Sequence, residues 1–209
     1  TGCARQPVLE NPMLEQITSG LDRILQGVQS GSLWLARAGG VLILLAVALV
    51  TMEILSRQLI GRSNLHATEI TGYVMAISTS WAFAYTLMRK AHIRIDALYV
   101  KLPVSARGML DLIALMSLAL FCVLVVGAAF DVADLSYTGG ARANTPLGTP
   151  VWIPQALWLL GLVWFSVAVV LMSLRVLLGL LSGQMNDVQR LAGSPTLDEQ
   201  IREENKETN

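Results

Sequence analysis

The spacing of charges around its apolar runs is what most constrains this chain. Arg37 to Arg57, Glu69 to Arg89 and Asp111 to Asp131 are each 20 positions apart, about 30 Å of helix at ~1.5 Å per residue. That is roughly one hydrocarbon thickness of a bilayer. A fourth run, Pro154 to Arg175, is nearly as long, and Pro154 suits a helix start, where its missing N–H goes unused. With 54% hydrophobic and 14% charged residues among 209, and a mean hydropathy of +0.56, little polar surface is left for a soluble domain. The expected fold is an all-α integral membrane protein with four transmembrane helices, at about 36–57, 69–89, 110–134 and 153–180.

Basic residues near span ends are retained preferentially in the cytoplasm, so the connections carry the orientation. Arg89, Lys90, Arg94, Lys101 and Arg107 crowd the middle connection, whereas the other two hold only Arg57 with Arg62, and Arg142. Arg5, Arg23 and Arg37 before the first span, and Arg175, Arg190, Arg202 and Lys206 at the end of the last and beyond it, lie on the same side as the middle connection. Both termini and residues 89–107 are expected in the cytoplasm. Trp34, Tyr73, Tyr137, Trp152 and Trp158 fall near expected span ends, where an amphipathic ring is favoured, while Trp81 and Trp164 fall mid-span, where packing on another helix accounts for them.

Three regions follow from this frame: a cytoplasmic arm at 1–32, a transmembrane domain at 33–181 and a polar, Glu-rich cytoplasmic tail at 182–209. In the arm, Met13, Leu14, Ile17, Leu21, Ile24, Leu25 and Val28 recur at helical spacing after Asn11-Pro12. This stripe predicts an N-terminal amphipathic helix, lying at the membrane interface or packed on protein.

Polar residues within the spans are few. Glu53 lies one turn inside Arg57, and an unpaired carboxylate would cost about 2.5–3.5 kcal/mol at a span centre and less toward its end. Its partner is either Arg57, at i,i+4 in the favourable order, or a charge on another chain. Gly72, Ala76, Ser80 and Ala84 recur every four residues on the second span, a flat stripe along which another backbone can approach, from this chain or a partner. Asp131 and Asp134 share a helix face near the outer end of the third span, where such a pair can bind a cation but more often marks where the helix meets water. The three prolines of "NTPLGTPVWIPQ", 144–155, disfavour helix and keep that connection extended.

Catalysis and cofactors lack candidates. Cys3 and Cys122 provide neither a disulfide framework nor a metal cluster, and His66 and His92, both in connections, cannot hold a haem within the bundle. The spans contain no paired nucleophile and base, zinc motif or phosphate-cradling loop. Zero formal net charge gives no hint of nucleic acid. No enzyme activity, cofactor or metal is expected.

The stretch "RKAHIRIDALYVKLP", 89–103, is the most distinctive. If extended, it projects His92, Arg94 and Asp96 from one face and Ile93 and Ile95 from the other; if helical, it makes His92 and Asp96 i,i+4 neighbours. Both arrangements suit docking and orientation. The run "KAHIRIDALYVKLPVSARGMLDLI", with Glu53 and Arg57 closing the first span, Glu69 opening the second, Leu98, Tyr99 and Leu102-Pro103 behind the His-x-Arg-x-Asp signature, and "TP...IP" before the fourth, resembles the small membrane subunit, DctQ-type, of tripartite ATP-independent periplasmic (TRAP) transporters. The resemblance covers roughly residues 35–180.

That resemblance implies a multi-pass subunit of the bacterial inner membrane, acting beside a large multi-span membrane subunit and a periplasmic substrate-binding protein. Organic acids enter such systems on an ion gradient, commonly sodium, with the small subunit as a scaffold that holds neither substrate nor ion. Glu53, Arg57, Glu69, His92, Arg94 and Asp96 are then expected to supply ion pairs and hydrogen bonds of the assembled state. A stand-alone four-helix channel or carrier is the rival reading, and it predicts transport by this chain alone.

Overall fold

In the computed structural model, which describes residues 12–61, 66–89 and 104–182, the chain forms four long helices: α1 (Pro12–Ile60), α2 (Ala67–Met88), α3 (Val104–Thr138) and α4 (Trp152–Leu181). Three segments, Gln16–Leu59, Ala106–Thr138 and Trp152–Leu181, are long and apolar enough to cross a membrane. Among the described residues the only β pairing is an isolated bridge between Arg142 and Pro150 in the α3–α4 connection. That connection is not merely extended: Ala143 N–H donates to Thr149 O at 2.9 Å and Val151 N–H to Ala141 O at 3.2 Å, and Gly148 supplies the positive φ (60°) the turn needs. Prolines at 146 and 150 withhold two N–H groups, so the pairing stays short.

The N-terminal region departs from expectation. The arm helix and the first span are one helix of 49 residues, about 73 Å long at ~1.5 Å per residue. No proline interrupts residues 13–60, and the arm's stripe finds protein to cover it. Thr18, Leu21, Val28 and Ser32 are buried, while Ile17 and Ile24 remain exposed, because α4 covers a face narrower than the full apolar set.

α1 packs on α2, α2 on α4, and α3 on α4, and α1 also lies along α4. On α3 the buried positions Asp111, Leu115, Cys122 and Ala129 fall on one a/d-like stripe. Leu115 and Cys122 join Leu87, Val169, Met172 and Val176 in one apolar cluster; Val28, Ala84 and Ala168 make a second. The remaining surface of α3 is itself apolar, with Ile113, Met116, Phe121, Leu124 and Phe130 exposed. A surface of that kind is stable against lipid, where exposing Leu and Phe costs nothing.

Candidate functional site: interhelical polar locks

Several polar side chains within the bundle join helices, while Thr51, Thr79, Ser80 and Ser173 bond back to their own helix. Glu53 accepts from Arg57 Nη2 at 2.6 Å through Oε1, and from the backbone N–H of Ala67 at 2.7 Å through Oε2. Arg57 was one of the two partners expected; the contact with α2 was not. His66, the N-cap residue of α2, has left-handed backbone (φ 49°, ψ 35°) and makes no side-chain cap, so the first helical N–H needs an acceptor from elsewhere. Glu53, two helix ends away in sequence, is that acceptor. Replacing Glu53 by Ala is expected to lower stability by about 1–2 kcal/mol, the usual value of a lost helix cap. Glu53→Gln keeps an oxygen for Ala67 and should lose less; thermal melts in detergent compare the two.

Glu69 stands in the first turn of α2, where its Oε1 accepts from Tyr73 Oη at 2.8 Å. Thr145 and Thr149 of the α3–α4 connection lie beside the same carboxylate, although neither hydroxyl reaches Oε2 in hydrogen-bond geometry. Glu69 thereby faces the connection that closes this end of the bundle. The expected stripe on α2 divides: Gly72 and Ala76 are exposed, whereas Ser80 and Ala84 are buried within the chain. Gly161 of α4 sits on Ser80 and Trp81 so closely that a Cβ would lie 2.9 Å from the Ser80 carbonyl carbon. Half of the stripe therefore serves this chain's own packing. His92, Arg94 and Asp96 lie outside the described residues.

Three further locks join helices. Arg175 donates to Asp22 from Nε (2.7 Å to Oδ1) and Nη2 (3.3 Å to Oδ2), across 153 residues. Trp164 Nε1 donates to Ser32 Oγ at 3.0 Å, with Gly31 leaving room for the indole, and Trp81 Nε1 donates to Leu157 O at 3.0 Å. The mid-span tryptophans thus pack on other helices, as expected of them. Nothing in the order of residues selects Asp22 as a partner of Arg175. Asp131 and Asp134 are exposed, and among the described residues no cluster of metal-binding side chains forms.

A groove of about 380 Å³ between α1 and α2, lined by Ile43, Ala46, Val50, Thr71, Val74 and Met75 among others, is apolar apart from threonine hydroxyls. A smaller one of about 250 Å³, between α3 and α4, is lined by residues such as Phe121, Cys122 and Phe165. Among the described residues, no charged side chain lines either.

Residues 46–179 match the family model of the tripartite ATP-independent periplasmic transporters, DctQ component. The chain belongs to the DctQ family. The match begins within α1 and runs through nearly the whole of α4, so the contacts made by Glu53, Trp81 and Gly161 lie within it. Comparison with curated proteins and with solved structures gave no match. As a DctQ component, the chain is the small membrane subunit of a TRAP transporter, a transporter part and a membrane protein.

Proposed function

We propose that this DctQ subunit is a scaffold that crosses the bacterial inner membrane four times, with both termini and the basic 89–107 connection in the cytoplasm. It braces a large multi-span membrane subunit, which moves an organic acid inward on an ion gradient, commonly of sodium, after a periplasmic binding protein has captured it. The observation that carries this reading is a set of polar contacts between helices. Glu53, Ser32, Trp81, Trp164 and the Asp22–Arg175 pair each join one element of this chain to another. A carrier instead aims polar groups from broken helices at a site near the membrane midplane, and the two grooves among the described residues are lined by aliphatic, aromatic, hydroxyl and thiol side chains. Rigid helices locked edge to edge suit a part that stays still while another moves. Glu69 would hold the outer connection in place, and His92, Arg94 and Asp96 would orient the chain at the cytoplasmic face.

A mild-detergent purification of the tagged chain from its own membrane tests the reading. A much larger multi-span protein is expected to copurify, and proteoliposomes are expected to take up substrate only when large subunit and binding protein are both present. Uptake by this chain alone would establish the stand-alone carrier instead. Cysteine labelling from outside the cell at residue 93 should fail, and labelling there would overturn the orientation.

A further inference from the structure

We infer that the far face of α1, from Ser19 to Arg37, is the surface on which a helix of the large membrane subunit docks, and that Arg37 meets a carboxylate of that helix within the membrane. The inference rests on the scaffold reading and says where and by what chemistry the scaffold grips.

Contacts set α1 alongside α4 at known levels. Asp22 pairs with Arg175, Ser32 with Trp164, and Gly39 packs on Ser78 of α2. Ser80 in turn packs on Gly161. Rising along α1 is therefore descending along α4, nearly residue for residue. Arg37 stands level with the α4 residues around Leu160, about 12 Å along that helix from Trp152 and about 22 Å from Arg175 at ~1.5 Å per residue. That level lies well inside the apolar run of α4, so Arg37 belongs to the membrane interior rather than to its edge, where its position before the first apolar run suggested it.

The outward surfaces of the two helices disagree at these levels. On α4 the exposed positions from Leu160 to Leu174 are all Leu or Val, as lipid requires. On α1 the face turned away from α4 presents Ser19, Arg23, Gln26, Ser30, Trp34 and Arg37, all exposed. Above Arg37 the same face becomes apolar, with Val41, Leu44, Met52 and Leu55 exposed. Lipid cannot satisfy both surfaces at one depth. A charged side chain in a span faces protein or a water-filled cavity and takes an opposite charge. Among the described residues, the Arg37 guanidinium meets the Trp34 ring, 6.0 Å from its centroid, and no carboxylate. Gly20 and Gly27 beside this face have nothing near where a Cβ would stand, which leaves room for a neighbouring backbone. The occupant is thus a helix carrying an Asp or Glu near mid-membrane and small residues toward the cytoplasm.

The test is made on the chain coexpressed with its large subunit. A photo-cross-linking residue in place of Ser30, with Arg37 intact, is expected to form an adduct with the large subunit. Arg37→Glu should reduce the copurified large subunit by about tenfold or more, and Arg37→Lys should keep most of it. Should wild-type protein recover no large subunit, the scaffold reading and this inference fail together. Should the complex be recovered while position 30 labels only lipid, or while R37E leaves recovery unchanged, the inference fails and the scaffold reading stands.

Discussion

Gly161→Leu is expected to prevent accumulation of folded protein, and Gly161→Ala to cost about 1–3 kcal/mol, the range for overpacking a filled interior. A Cβ at this position meets the Trp81 ring at 2.7 Å and the Ser80 carbonyl carbon at 2.9 Å, besides the Ser80 hydroxyl. A ring can turn; a helix backbone cannot yield without moving α2 away from α4. That movement would break the Trp81–Leu157 hydrogen bond and open the cluster of Val28, Ala84 and Ala168. Quantifying monodisperse protein after solubilisation, with wild type beside it, measures the effect. Unchanged yield and melting temperature for Gly161→Leu would mean that α2 and α4 do not touch here.

Asp22→Ala is expected to be the next most damaging substitution, at about 1.5–3 kcal/mol, the range for hydrogen bonds to charged groups. The Arg175 side chain is 5% exposed and Asp22 41%, so the arginine bears most of the desolvation and loses most when the carboxylate goes. The two-pronged contact also fixes geometry, since a guanidinium fork matches both carboxylate oxygens at once. Asp22→Glu should recover little, because a longer stem displaces both oxygens. The double variant Asp22→Leu with Arg175→Met should sit closer to wild type than Asp22→Ala, because it no longer buries a guanidinium that has lost the Asp22 carboxylate. Hydrogen exchange over residues 16–32 gives a local readout. The pair ties the polar half of α1 to α4, so protection there should fall in Asp22→Ala while the Leu157–Leu171 stretch of α4 stays protected.

These locks also explain why α1 is a single helix. An interfacial helix would leave Leu21 and Val28 in the headgroup layer and Arg175 to find a partner in water. Continuing the helix along α4 buries both apolar side chains and supplies the carboxylate from the same face. Thr18 and Ser32, the other buried positions of that face, are small enough for the helices to come close.

The helical character of the apolar runs and the Glu53–Arg57 pairing were legible in the linear order, because each depends on a helix's own rise and periodicity. The 1.5 Å step turns 20 positions into a membrane thickness whatever surrounds the helix, and i,i+4 places Arg57 above Glu53 in any helix. The family, too, could be recognised from the local run after Arg89 and its flanking spans. Which helix sits at which height was not legible. That Glu53 caps Ala67, that Arg175 takes Asp22, that half of the Gly72–Ala84 stripe is used internally and that Arg37 stands level with Leu160 all depend on the relative shift of helices far apart in sequence. That shift is fixed by side-chain shape and by the few polar groups that must find partners, terms to which every helix contributes at once and which no single segment contains.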